Sequence, residues 1–190
     1  MSNTGDPDGE IVHTGAIPAG DLDLPHGVIR QRPPAFSAIK LGGRRAYKLA
    51  RAGIEVDLPE REVQIYRFDE LERRGEVRRF LIECSAGTYV RTLISELGDA
   101  YCEQLRRVRI GSFDVAGADP ERLISLNDAL SFIPEMRLGP EDARRASHGA
   151  ALAGTAAGVV RLTDGGGLIA LAEPRSDGTL GPVVGLRPLQ

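Results

Sequence analysis

Between Val77 and Gly98 the spacing of apolar side chains changes once, and that change commits the chain to a strand that turns into a helix through a tight corner. From Val77 to Cys84 the residues Val77, Phe80, Leu81 and Ile82 lie among charged neighbours, the pattern of a strand in a half-buried sheet. Further on, Val90, Leu93, Ile94 and Leu97 recur at helical spacing, which gathers them on one face and turns Arg91, Ser95 and Glu96 away from it. Gly98 is placed to end or interrupt this helix. The corner holds Gly87, Thr88, Tyr89 and Arg91: a residue free to turn, a ring with a polar tip, and a planar cation. A flat ring beside an arginine suits a nucleobase. By residue type alone, an interface aromatic and a solvated helix-start charge fit as well and are the commoner outcome.

Neighbouring segments supply a sheet for that corner. Glu62 to Leu71 carries Val63, Ile65 and Phe68 and reads as a strand paired with Val77 to Cys84 across the Arg73-Arg74-Gly75 turn, giving a hairpin. Upstream, Pro33-Pro34 fixes an extended approach to Phe36 to Leu41, and Gly42-Gly43 makes a turn. Arg44 to Ala52 then reads as a short amphipathic helix, with Ala46, Leu49 and Ala50 on one side, Arg44, Arg45, Lys48 and Arg51 mostly on the other, and Gly53 after its end. Downstream, Gln104 to Phe113 alternates Arg106, Val108 and Ile110 with Leu105, Arg107 and Arg109, as an Arg-rich strand at a ligand-facing surface. Residues 1 to 9 are turn formers, Glu10 to Ile17 a short strand, and residues 18 to 27 a short or flexible linker.

One further helix precedes a change of texture at about Arg137. Ser125 to Asp128 is a capping pattern opening a helix through Ile133, and Pro134 ends it. Pro140 to His148 is a helix with Pro at its first turn, Gly149 after it and His148 at its end. Gly158 to Thr163, Leu168 to Glu173 and Leu180 to Leu186 are short strands separated by Ala-, Gly- and Thr-rich turns, a small β-rich appendage.

Composition bounds the function. With 190 residues, 42% hydrophobic and 27% charged, the chain has room for one core, or one domain and an appendage. Two cysteines, Cys84 and Cys102, supply neither a disulfide framework nor a four-cysteine zinc site, and Cys84 reads as a small buried hydrophobe. No long apolar run or basic, apolar N-terminus marks a membrane span or signal peptide, so the expected location is the cytoplasm. The net charge of -3 hides a gradient: residues 1 to 29 hold five acids and no base, whereas residues 30 to 115 hold seventeen bases against thirteen acids. Lys40 and Lys48 are the only lysines, and the arginine excess favours bidentate phosphate contact and stacking.

Three blocks carry a resemblance. Gly87-Thr88-Tyr89-Val90-Arg91-Thr92-Leu93-Ile94, then Glu96-Leu97-Gly98, resembles the G-T-Y-[IV]-R-[ST]-[LI] segment of bacterial tRNA pseudouridine-55 synthases. Arg32-Pro33-Pro34-Ala35-Phe36-Ser37-Ala38-Ile39-Lys40, with Gly43, Tyr47, Ala50, Arg51 and Gly53, is similar to that family's Q-x-P-P-x-[FY]-S-A-[LIV]-K…G-x-x-x-Y-x-x-A-R-x-G block. Leu105-Arg106-Arg107-Val108-Arg109-Ile110-Gly111-Ser112-Phe113 resembles its L-R-R strand, and the segment around Thr4-Gly5-Asp6 its T-G-D segment.

The resemblance implies an α+β fold: residues 1–134 as a partial synthase domain with a mixed, mainly antiparallel sheet, and residues 135–190 as a small PUA-like β domain. It implies isomerisation of a T-loop uridine of tRNA to pseudouridine, in which the glycosidic bond breaks, the base turns and reattaches through C5, without metal or organic cofactor. Tyr89 would stack on the flipped base, Arg91 would pair with the catalytic aspartate, and Leu105 would wall the pocket. Lys40, Arg44, Arg45, Tyr47, Lys48, Arg51, Arg106 and Arg107 would contact the T-arm. The family's G-x-L-D motif, which carries the catalytic aspartate, does not occur in these 190 residues. Asp6, Asp8, Asp21 and Asp23 lack its neighbours, so the expectation is a monomer inactive alone, and the alternative a non-catalytic RNA-binding or tRNA-chaperone-like module.

Overall fold

The computed structural model describes residues 2–12 and 17–187. Its contacts divide the chain into two units, Met1–Arg107 and Val108–Gln190. In the first unit the elements run β1 (Gly27–Gln31), β2 (Lys40–Leu41), β3 (Arg44–Arg45), α1 (Ala46–Arg51), β4 (Arg61–Arg74), β5 (Val77–Cys84) and α2 (Val90–Ser95). Strands β1, β4 and β5 form an antiparallel sheet with β4 at its centre. The β4–β5 hairpin closes at Gly75, whose φ of 59° a side chain would disfavour. Val63, Ile65 and Phe68 face inward from β4 and meet Leu93 and Ile94 of α2, with Val90, Leu97, Phe80 and Ile29 around them. Phe68 and Phe80 meet edge to face at 5.3 Å. The helical spacing read from Val90 to Leu97 therefore marks the face that is buried.

Strand β1 was not expected, since Val28 and Ile29 follow a Pro- and Gly-rich stretch. It forms because β4 offers an open edge, along which Gly27 to Gln31 pair with Ile65 to Arg61. The expected linker is tied down in part: Arg78, on β5, donates to the carbonyls of Pro18 and Gly20, each at 2.9 Å, and to Glu70 at 3.0 Å. The helix expected from Arg44 begins instead at Ala46, because Arg44 and Arg45 pair with Leu41 and Lys40 across the Gly42-Gly43 turn. Of the strand expected from Glu10 to Ile17, Ile11 makes a single bridge to Ser2, and residues 13–16 lie outside the described residues. Cys84 is half-buried at the core margin, and Cys102 is buried.

The expected strand from Gln104 to Phe113 is corrected. Residues 103–108 are irregular and exposed, and only β6 (Arg109–Ile110) pairs, with β7 (Phe113–Asp114), across a turn at Gly111. Alternation alone cannot make a strand, and among the described residues this segment has no sheet edge to join. The helix expected from Ser125 to Ile133 is only α3 (Leu126–Ala129): Ser125 caps it by accepting from the Asp128 N–H at 3.1 Å, but Phe132 beyond it has no core to enter and is exposed.

In the second unit, β8 (Glu135–Arg137), α4 (Pro140–Ser147), β9 (Leu152–Ala153), β10 (Val160–Asp164), β11 (Gly167–Pro174) and β12 (Thr179–Gly185) complete the chain. The sheet order is β8-β10-β11-β12-β9, parallel between β8 and β10 and antiparallel elsewhere. Helix α4 lays Ala143 and Ala146 against Leu162, Ile169, Ala170 and Leu180. It begins with Pro140 and ends at His148, whose Nδ1 lies 2.7 Å from the Arg144 carbonyl, as expected of a helix-end histidine. The three expected strands fall within a residue or two of those observed; β8 and β9, of three and two residues, were too short to read.

Candidate functional site

The corner between β5 and α2 is held to the sheet by hydrogen bonds to β4. Ser85 donates its N–H to the Gln64 carbonyl at 2.9 Å, and its hydroxyl accepts from the Gln64 N–H at 3.0 Å. The Thr88 hydroxyl closes the turn onto the Ser85 carbonyl at 2.9 Å. Gly87, with φ 86°, makes the reversal that a side chain would strain. Tyr89 stands at the helix cap in extended conformation. Its N–H donates to Gln31 Oε1 at 2.8 Å, and Gln31 Nε2 donates back to the Tyr89 carbonyl at 3.0 Å. The Arg61 guanidinium lies 4.9 Å from the Tyr89 ring centroid and also donates to the Gly87 carbonyl.

Two residues later, Arg91 binds three acceptors. Nη1 donates to the Thr4 carbonyl at 2.9 Å and to Asp6 Oδ2 at 2.7 Å, and Nη2 donates to the Phe36 carbonyl at 2.9 Å. The N-terminal loop, the segment after Pro33-Pro34 and the corner thus meet at one cation. Gly5 lets the loop approach: a Cβ there would stand 3.2 Å from Arg91 Cβ. The Thr4 hydroxyl, bonded to Asp6 Oδ1 at 2.6 Å, and then Arg91 hold the Asp6 carboxyl below its ordinary value against the opposing effect of burial. Asp6 is therefore an ionised acid fixed beside Arg91. The Cys102 N–H donates to the Gly5 carbonyl at 3.0 Å, and burial pushes its thiol up, away from a reactive thiolate.

The cations expected to touch RNA fall in two places. Lys40, Arg44, Arg45, Lys48 and Arg51 gather on the β2–β3 turn and α1, all exposed. Arg51 lies 5.6 Å from the Tyr47 ring centroid, and Arg45 is engaged with the Ala38 carbonyl at 2.6 Å. A cleft of about 330 Å3 runs beside them, with Lys40, Pro33, Ile39, Leu58 and Arg61 on its walls. Leu105, Arg106 and Arg107 lie in the exposed irregular segment, with Leu105 at 61% exposure. Sequence reading gave no part to Gln31 or Arg61 and treated Asp6 as one loop acid among four. Gln31 could have been noticed as the residue at the family block's leading Q; Arg61 left no local signal. Among the described residues no group of three or more His, Cys, Asp or Glu is placed to hold a metal ion, and no helix is long and apolar enough to cross a membrane.

Comparisons with known proteins agree on one family. A model described as "TruB family pseudouridylate synthase (N terminal domain)" matches residues 3–90. A tRNA pseudouridine synthase B of Aromatoleum aromaticum is 34% identical over 207 aligned residues, covering 95% of this chain and 67% of that protein. The enzyme of the same name from Pseudomonas putida is 40% identical over 126 residues, covering 60% of this chain and 41% of its own length. This chain thus spans about two fifths of the length of that relative. Among solved structures, the crystal structure of a Cbf5-Nop10-Gar1 complex aligns with a TM-score of 0.54 at 23% identity, over 85% of this chain and 57% of that one, a likeness of fold. The α+β fold, the three sequence blocks and these relatives converge: the chain belongs to the TruB family of tRNA pseudouridine synthases.

Proposed function

We propose that this chain binds the T-arm of tRNA and supplies the stacking and cationic side of a pocket in which a T-loop uridine is isomerised to pseudouridine. The observation that carries the reading is the pair on the strand-to-helix corner: Tyr89 held through its main chain by Gln31, and Arg91 held against the ionised Asp6. A base taken out of its loop loses stacking, and an aromatic ring restores it. A guanidinium beside a carboxylate keeps that carboxylate charged, which a nucleophile or base requires. In the reaction the N1–C1′ bond of uridine breaks, a C5–C1′ bond forms, the C5 proton leaves to solvent and N1 gains one. The nucleophilic aspartate of the G-x-L-D motif is not among these 190 residues, and turnover by this chain alone is not expected. Lys40, Arg44, Lys48 and Arg51 serve the phosphates, with Arg106 and Arg107 as a second basic contact.

The test is tritium release from a T-arm hairpin labelled at uridine C5, with protein in excess, alongside binding of the same hairpin at several salt concentrations. Salt-dependent binding without release is the expected result for the chain alone. Release above background overturns the expectation of lost turnover, and absence of binding at low salt overturns the assignment to the T-arm.

A further inference from the structure

Tyr89 is held from two sides by Gln31 and Arg61, residues to which the sequence reading gave no role. Gln31 ends β1, Arg61 begins β4, and the two are directly paired across the strands. Gln31 is 0% exposed. Its amide meets both main-chain groups of Tyr89, a residue whose N–H precedes the helix and so has no intrahelical carbonyl to reach. Arg61 reaches the same corner with its guanidinium, which covers the Tyr89 ring and donates to Gly87. Its Nε is buried without a hydrogen-bond partner among the described residues. A donor buried and unpaired is unfavourable, so stability alone does not account for this placement. Position over the ring does.

We infer that Gln31 and Arg61 are positioning residues that fix Tyr89 as a rigid platform, with the guanidinium on one face of the ring and the flipped base taking the other. The inference depends on the reading that Tyr89 stacks on that base. A platform contributes most when its main chain and its ring angle are set before the ligand arrives, because binding then orders nothing further. Gln31 sets the main chain and Arg61 the ring. A lysine at position 61 would keep the charge but lose the planar stack and the fork that reaches Gly87.

The experiment measures equilibrium binding of the full chain to two T-arm hairpins, one with uridine at the target position and one abasic there. The unmodified chain is expected to prefer the uridine hairpin about fivefold or more, the low end of what one base–aromatic stack supplies. Arg61→Met and Arg61→Lys are each expected to bring that ratio to within about twofold of one. An unmodified chain without preference overturns the stacking reading itself. A preference that survives in both variants overturns the present inference and leaves that reading intact. Ring resonances of Tyr89 in the unmodified free protein give a readout that needs neither RNA nor a variant: a pinned ring flips slowly and shows separate signals for its two edges, whereas averaged signals overturn the inference.

Discussion

Both units tie irregular chain down with an arginine, Arg161 on a strand and Arg91 on a helix, over cores of different kinds. In the second unit β10 is buried on both faces, with Val160, Arg161, Leu162 and Thr163 all enclosed. Arg161 lies inside, its side chain 8% exposed, and binds the Ile133 carbonyl at 2.9 Å and the Asn127 side chain at 2.7 Å. In the first unit β4 buries one face only, and Arg91, 24% exposed, gathers two loops and a carboxylate. One arginine seals a core; the other holds a site that solvent can reach. Packing should dominate the stability of the second unit, and polar contacts the shape of the first.

Four measurements would break or sharpen that contrast. Leu162→Ala empties a fully buried position and should lower stability by about 2–5 kcal/mol in urea unfolding; a loss under about 1 kcal/mol would contradict a packing-dominated core. Arg91→Met should act locally, for about 1–3 kcal/mol, by freeing the loop around Thr4 to Asp6. Hydrogen exchange at the Cys102 amide, which donates to Gly5, should then speed up, and unchanged exchange would show that Arg91 does not hold that loop.

Acid gives a third comparison. Arg187 and the Gly166 N–H hold the Asp164 carboxyl down to about 2, and Thr4 and Arg91 hold Asp6 below its ordinary value. Since both folded values lie below the unfolded value of about 3.9, both contributions are complete above that pH and fade as pH falls through the folded values. For Asp164 the fading runs from about pH 4 to about 2. Carbon-13 titration of the two carboxyls reads this directly, and in Arg91→Met the Asp6 midpoint should rise while that of Asp164 stays. Smallest for stability is Lys48→Ala, expected within about 0.5 kcal/mol. Its effect should appear in RNA binding, as a salt slope shallower by about 0.7–0.9; an unchanged slope removes Lys48 from the phosphate contacts.

Local patterns made part of this legible. The hairpin, the buried face of α2 and the Pro140-to-His148 helix each arise from side chains a few residues apart, and each stands where the sequence placed it. Strand β1 and the irregular Gln104–Phe113 segment were misread for one reason: whether an apolar run becomes a strand depends on an edge elsewhere in the chain. The resemblance marked Tyr89 and Arg91 and, at the head of its Q-x-P-P block, Gln31 as well; what no spacing shows is that Gln31 meets Tyr89, 58 positions away.

The cross-strand pairing of Gln31 with Arg61 also ties the site to the order of folding. The β4–β5 hairpin needs only a tight turn, whereas β1 must find β4 across the intervening segment that carries β2, β3 and α1, a slower search. A refolding chain would regain the hairpin early and the seat of Tyr89 late. A one-residue slip of β1 would send Gln31 to the opposite face, leaving a sheet that still looks paired beside an aromatic ring with nothing under its main chain.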